Sequence, residues 1–499
     1  MKKFTIFAIL MALGMPVIAQ RYTTPKRELR SAWVATVYGI DWPKASESAA
    51  QQQAAMTRML DSLKNMNFNA VNFQVRSMCD AMYKSSYEPW SSYLTGVRGR
   101  DPGYDPLAFV VSECHARGME CHAWINPYRF STGSVWATDK DTEAKGHLLK
   151  HGKYTVLDPA QQWTVDRIVN VCHEVVSNYD VDGILYDDYF YPNDIPCNST
   201  AGDYQEYLDS GTKLSMADWR RQNVGKMVRS VYQMIQKTKP WVRFGISPAG
   251  VACTQQSLAS QYGISPCPSG SDWQYNSIFS DPVSWLANKD LDFVSPQVYW
   301  KMGFARADYS KIVPWWCSTA KTFGRDLFVS VNIENLKTTD AFKEWALQVQ
   351  MARDESPQDQ AGVIFWSVSN LYKKSGASLQ LGQYLKRTVY TLPALPPVMS
   401  WRNYKLIGNP RVSAIDLGNS QLLWPPLPQV RYSVYAVPCG VSADSFRHDV
   451  QYLLGMSYNP DDVGDDVVFD LPQDKRDGYR YAVCVMDRYG NEYAPVWTE

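Results

Sequence analysis

Eight short apolar runs punctuate the first three-quarters of the chain, separated by longer segments whose apolar positions recur every three to four residues. The runs are SAWVATV (31–37), AVNFQVR (70–76), ECHAWINPY (120–128), DGILYDD (182–188), VRFGISP (242–248), DFVSPQVYW (292–300), DLFVSVNI (326–333) and GVIFWSV (362–368). Their length and β-branched content predict strands. The spacing in QQQAAMTRMLDSLKNM, DPLAFVVSECHARG, WTVDRIVNVCHEVVSNY and WRRQNVGKMVRSVYQMIQKT predicts amphipathic helices. Strand–helix units repeated eight times over residues 26–390 predict an α/β fold, a (β/α)8 TIM barrel. A doubly wound sheet is the rival, but no Gly-rich phosphate loop follows the first run. TLPALPP (391–397) is a Pro-rich linker. Beyond it, residues 398–499 carry short alternating runs (QLLWPP, RYSVYAVP, YRYAVCVMDRYG) without helical period, which predicts a small β-sandwich of fibronectin III or immunoglobulin type.

A barrel places its chemistry at the C-terminal ends of its strands, and period two sorts each strand into a helix-facing and a lumen-facing set. In strand two, Val71, Phe73 and Val75 face the helices, leaving Asn72, Gln74 and Arg76 inward. Strand three turns His122, Trp124 and Asn126 to one side. Strand six leaves Ser295, Gln297 and Tyr299 inward, and strand seven leaves Phe328, Ser330, Asn332 and Glu334. Polar groups are costly to bury unpartnered, so this lining predicts a polar ligand. The sharpest segment is VDGILYDDYFYP (181–192), where an apolar strand runs into Asp187 and Asp188 and then an aromatic cluster. Glycoside hydrolysis uses a pair of carboxylates and aromatic surface for the sugar, so Asp188 or Asp187, with Asp188 favoured, is a candidate catalyst. Capping of the following turn is the alternative use of such an Asp. Candidates for the second carboxylate are Asp80, Glu334 and Asp41. Arg76 is expected to bind substrate or to hold Asp80. Tyr128, Tyr189, Tyr191, Trp300 and Trp366 are candidate sugar platforms.

Composition narrows the picture. Fifty basic and fifty acidic side chains cancel, which argues against an electrostatic nucleic-acid binder. With that option removed, 18 Trp and 31 Tyr favour sugar contact or core filling. Lys2 and Lys3 precede a short apolar run ending in Val17-Ile18-Ala19, the pattern of a secretory signal peptide over residues 1–19. The mature protein is therefore expected to be exported, to the periplasm or the cell surface, without a membrane span. Ten scattered cysteines do not make a disulfide scaffold, although Cys439 and Cys484 form a candidate pair. Cys114-His115 and Cys121-His122 superficially resemble a metal site, but one pair falls on a helix and the other on a strand. No metal or cofactor is expected. His147 and His151 sit at helical spacing and are expected on a solvated face.

Taken together, RELRSAWVATVYGIDWP, NAVNFQVRSMCDAMYKSSYEPWS, GYDPLAFVVSECHARGMECHAWINPYR, LDPA, VDGILYDDYFYP, FGISPAG, DFVSPQVYW and GVIFWSV resemble the glycosyl hydrolase-like 10 family across residues 26–390. The resemblance implies a TIM barrel, export and glycoside hydrolysis, with some members similar to enzymes that cleave peptidoglycan strands stripped of peptide. It also makes a fibronectin III-like tail familiar. The family's strand-four acidic motif falls on Asp187 and Asp188, its strand-two Arg and following Asp on Arg76 and Asp80, and its strand-three Asn and Arg on Asn126 and Arg129. Its strand-six Gln-x-Tyr-Trp falls on Gln297, Tyr299 and Trp300. The VNIEN sequence around Glu334 departs from the pattern, so Glu334 rests on parity alone. The expected function is thus an exported hydrolase of a polysaccharide, with peptidoglycan glycan as a candidate. The alternative is a glycan-binding barrel without a working acid/base pair. A metal-dependent deacetylase on this fold would require a His/Asp cluster that the sequence does not offer.

Overall fold

The computed structural model describes residues 22–131, 137–334, 339–372 and 380–498, apart from 403, 409, 419 and 461–463; the leader expected over residues 1–19 lies outside them. Eight parallel strands close a barrel: β1 (Leu29–Val34), β2 (Ala70–Arg76), β3 (Glu120–Ile125), β4 (Gly183–Tyr186), β5 (Arg243–Ile246), β6 (Phe293–Val294), β7 (Asp326–Leu327 and Val329–Asn332) and β8 (Gly362–Trp366). Neighbours in the chain are neighbours in the sheet, and β8 returns to pair with β1, Leu29 opposite Gly362. Strand β7 is interrupted at Phe328. Its first part pairs with β6 and its second with β8, and a bridge from Gln297 to Ser330 completes the ring.

The helices follow the spacing in the sequence and are started by side chains suited to the task. Helix α1 (Ala49–Asn65) opens on a capping box between Ser48 and Gln51. Helix α2 (Pro106–Ala116) opens with Asp105 accepting from the Ala108 amide and with proline in its first turn. Helices α3 (Gln162–Asn178) and α4 (Met216–Thr238) lie within a residue or a few of the expected bounds. The parity rule also holds. Val71, Phe73, Val75, Val294, Val298, Leu327, Val329, Val331 and Ile333 join the core between sheet and helices.

The lumen is more apolar than expected. Leu29, Trp33, Ala35, Ala70, Trp124, Leu185, Phe293, Phe328 and Ile364 form a separate core inside the ring, and the polar side chains among them are paired: Asn72 donates to Ser31 at 2.9 Å, Trp33 Nε1 to Ser330 at 3.3 Å, and Ser295 and Ser330 meet at 2.9 Å. An unpartnered polar layer in mid-barrel would lose its water without replacement, whereas large inward side chains fill that space. His147 and His151 do not share a helix either. A tight helical turn ends at His147, and Leu148–His151 forms a hairpin with Tyr154–Leu157 around Gly152, Leu149 opposite Val156.

After the barrel come two antiparallel sheets. One contains β9 (Asp416–Leu417), β10 (Gln421–Trp424) and β13 (Val467–Asp470). The other contains β11 (Val430–Pro438), β12 (Leu453–Tyr458), β14 (Tyr479–Asp487) and β15 (Glu492–Trp497). Leu422, Trp424 and Val467 of the first meet Tyr432, Val434, Val483 and Val485 of the second in a shared core, which makes a sandwich. The Pro-rich segment before it lies against the barrel. The Leu392 carbonyl accepts from Arg30 at 2.6 Å and the Pro396 carbonyl from Arg27 at 2.9 Å. Cys439 and Cys484 are both free thiols. Cys484 pairs across the sheet with Ser433, six positions from Cys439 and so roughly 20 Å along the strand, beyond the reach of a disulfide.

Candidate active site

Strand β4 ends at Tyr186, and the next two residues carry the carboxylates. Leu185 points into the lumen, so two-residue alternation turns Asp187 inward as well; Asp188, past the end of the strand, bends into the same space. The two line a cavity of about 220 Å³ with Trp33, Trp124, Tyr189, Gln297, Tyr299 and Trp366. This is the C-terminal mouth of the barrel, where the fold family keeps its chemistry.

Asp187 is 3% exposed. Its Oδ2 accepts from Trp124 Nε1 at 3.1 Å and from Asn126 Nδ2 at 2.5 Å, while among the described residues its Oδ1 receives only a long approach from the Tyr189 amide at 3.4 Å. Asn126 is held in turn. Gln74 Nε2 donates to its Oδ1 at 2.8 Å, and Gln74 Oε1 accepts the Thr36 and Val37 amides, each at 2.9 Å. A relay from the loop after β1 through β2 and β3 therefore fixes the orientation of Asp187. Burial, then the neighbouring charge of Asp188, push the Asp187 carboxyl up to about 8, against the opposing pull of Arg129. Burial likewise raises Asp188, which accepts a hydrogen bond from Gln297. Two adjacent buried carboxylates do not both ionise readily, so the pair keeps one proton through neutral pH. The Arg129 guanidinium lies 4.7 Å above the ring of Tyr189, which is 45% exposed at the mouth.

The structure thus gathers Asp187, Asp188, Tyr189, Gln297, Tyr299 and Trp366 around one cavity, with Asn126 and Arg129 beside the acids. Glu334 stands at the rim, accepting from Trp366 Nε1 at 3.0 Å. Other expected site residues lie elsewhere. Arg76 is 1% exposed and is spent on Glu88 at 2.8 Å and on the carbonyls of Asn126 and Pro127, so its ion-pair partner is Glu88 and not Asp80. Asp80 pins its own loop by accepting the Ser77 and Met78 amides at 3.0 and 2.8 Å. Asp41 ties the loop after β1 to that after β8, accepting from the Ala35 amide at 2.9 Å and the Ser367 hydroxyl at 2.8 Å. Trp300 lies on the helix side against Gly250, since it follows Tyr299 and takes the opposite parity. Tyr128 and Tyr191 are core residues, packed on Phe190 and Phe279. Trp124 lines the cavity as its inward parity predicts, and Trp33, which was not among the expected lining residues, joins it. The signal for Trp33 was in the sequence, because Ala32 and Val34 face the helices and Trp33 between them must face the lumen.

Fold and pocket together define a TIM barrel of the glycoside-hydrolase kind, with paired acids on strand four and aromatic walls. The chain belongs to the Glycosyl hydrolase-like 10 family, whose model matches residues 28–346. It is 33% identical over 437 residues to glycosyl hydrolase YngK of Bacillus subtilis, covering 83% of this chain and 82% of that one. It is 34% identical over 342 residues to glycosyl hydrolase DigH of Escherichia coli K12, covering 63% and 75%. Among solved structures, the PgaB (BpsB) glycoside hydrolase domain from Bordetella bronchiseptica aligns over 72% of this chain and 98% of its own, with a TM-score of 0.47 and 11% identity.

Proposed function

We propose that this protein hydrolyses glycosidic bonds of a polysaccharide, with peptidoglycan glycan strands as the substrate class, and that Asp188 is the acid that protonates the leaving oxygen. The observation that carries the reading is the buried Asp187–Asp188 pair at the end of β4, sharing a cavity with Gln297, Tyr299 and three tryptophans. A pair that retains a proton at neutral pH can donate it to a departing sugar, and the aromatic walls exclude water from the transfer. Asp188, the less buried of the two, is the one presented to a glycosidic oxygen entering from the mouth. The cell-wall assignment is supported by the family resemblance and by the secretory pattern of residues 1–19, since an exported enzyme meets that glycan. The test is product release from peptide-free peptidoglycan strands and a panel of neutral polysaccharides. Asp188→Asn is expected to keep fold and binding while turnover falls by about 10²–10⁴-fold. Binding without cleavage by the unaltered protein would make this a glycan-recognition barrel. Near-normal turnover in both Asp187→Asn and Asp188→Asn would remove the acid assignment.

A further inference from the structure

Trp33, Trp124 and Trp366 do not form a flat platform. Their ring centroids lie 4.7, 6.5 and 5.9 Å apart for the pairs 33–124, 33–366 and 124–366, and the planes cross at 74°, 64° and 77°. A sugar face stacks on a flat ring, whereas three steeply crossed indoles make an apolar corner that closes around a small group such as a methyl. Asp187 adjoins that corner through Trp124 Nε1, and its Oδ1, with only the 3.4 Å approach of the Tyr189 amide, has room for a stronger donor. One substituent satisfies corner and carboxylate together: an acetamido group, whose methyl and N–H flank a single carbonyl carbon. The acids suit this as well. Consecutive in the chain, they approach from one side, and among the described residues no carboxylate lines the cavity opposite them; Glu334 is held at the rim by Trp366 and Asn332. Retaining hydrolysis needs a nucleophile across the ring from the acid, and substrate participation is the known alternative to a protein carboxylate.

We propose, on the basis of the glycosidase reading above, that the pocket takes a 2-acetamido sugar whose own amide oxygen is the nucleophile, with Trp33, Trp124 and Trp366 enclosing the acetamido methyl, Asp187 holding its N–H and Asp188 exchanging the proton. An acetamido N–H donated to Asp187 favours its ionised form, so with the sugar bound the one proton of the pair rests on Asp188. The amide oxygen attacks C1 as the bond from C1 to the leaving oxygen breaks, and that oxygen takes the proton of Asp188. The resulting bicyclic oxazolinium is held at its N–H by the Asp187 carboxylate. Water then adds to C1 and gives a proton back to Asp188, the bond from C1 to the amide oxygen opens, and the acetamido group is restored. The balance is one water consumed, two hydroxyls formed and retention at C1. Tyr299, whose hydroxyl is raised by burial and then by the nearby charges of Asp188 and Asp187, is a neutral donor available to the amide oxygen.

Peptide-free strands that have been de-N-acetylated and re-acylated with acetyl or trifluoroacetyl groups provide the kinetic test. Fluorine draws electrons from the amide oxygen, so kcat/KM is expected to fall by about a hundredfold or more. The binding test uses the 2-methyl-thiazoline analogue of N-acetylglucosamine in calorimetry. It is expected to bind about a hundredfold or more tighter than N-acetylglucosamine itself, as a mimic of the bicyclic intermediate does. Asp187→Asn is expected to lose that advantage, while Asp188→Asn, which leaves Asp187 in place, is expected to keep it. Equal cleavage of the acetyl and trifluoroacetyl strands, or cleavage confined to glycans without acetamido groups, would overturn the proposal and leave the glycosidase reading intact. No cleavage of any glycan would overturn both.

Discussion

Asp187 and Asp188 differ in accessibility and partners more than in chemistry. Asp187 is enclosed, its Oδ2 already occupied by Trp124 and Asn126; Asp188 bends toward the mouth, with Gln297 as its donor. Because the Asp187 carboxyl sits near 8 instead of its ordinary 3.8, the folded protein binds a proton that the unfolded chain releases between about pH 4 and 8. Two consequences have opposite uses. Stability contributed by the pair is greatest at acid pH and falls as pH rises through that window, by at most about 1.4 kcal/mol per pH unit. Activity that needs the shared proton falls above about pH 8, so the kcat/KM profile is expected to show an alkaline limb there, measured from pH 5 to 10 on the cleaved glycan. A profile flat to pH 10 would mean that the pair does not supply the proton. Asp187→Asn is expected to remove most of the decline in thermal midpoint between pH 6 and 8.

At the scale of elements, the site depends on how the strands fill the lumen beneath it. Gly245 on β5 faces Phe293 of β6; a Cβ there would come within 2.4 Å of the Phe293 ring. Phe293 in turn meets Phe328 at 5.0 Å, in the aromatic layer below the acids. Gly245→Ala is therefore expected to destabilise the barrel by about 1–3 kcal/mol through overpacking, read from urea unfolding, with a larger loss of turnover than an exposed Gly→Ala change causes. An unchanged midpoint would show that the ring moves aside freely. Alternation made the inward residues legible. What it did not show was which inward polar groups would remain free. Gln74, Asn126 and Arg76 all have inward parity, yet Gln74 and Asn126 are used to orient Asp187 and Arg76 to clamp a loop through Glu88. Those partners come from other strands and loops, and no local pattern announces them.

At the scale of the molecule, the sandwich seals the end of the barrel opposite the site. Arg431 of β11 donates to Glu120 at 2.8 Å and to Asp182 at 2.5 Å, at the N-terminal ends of β3 and β4. Asp182 also accepts from the Cys121 amide at 2.8 Å, from His115 at 3.1 Å and from the Tyr458 hydroxyl at 3.1 Å; His115 stacks on the Tyr458 ring at 3.8 Å. Burial alone would raise the Asp182 carboxyl, but Arg431 and His115 hold it well below the usual carboxylate range. Gly118, at φ +62°, marks a close approach, where any Cβ would strike the Met456 carbonyl. Arg431→Ala removes the one guanidinium that Glu120 and Asp182 share, leaving Glu120 with His122 at 2.9 Å and Asp182 with His115 and, at 3.8 Å, Arg488, and is expected to cost about 3–5 kcal/mol, lowering the unfolding midpoint of barrel and sandwich together. Two separate transitions, with the barrel unmoved, would show that the units do not support one another.

The sequence by itself determined the eight strand–helix units, the change to an all-β tail, the side of each strand that meets the helices, and the acidic pair on strand four. These follow from short-range regularities: periods of 2 and 3.6, and a proline-rich break where the pattern changes. Closure of the barrel settled that Asp80 and Asp41 serve as loop ties, that Arg76 is taken by Glu88, and that Asp187 is oriented through Gln74 and Asn126. Each of those outcomes is set by hydrogen bonds between segments distant in the chain, formed only once the barrel has closed and withdrawn the groups from water.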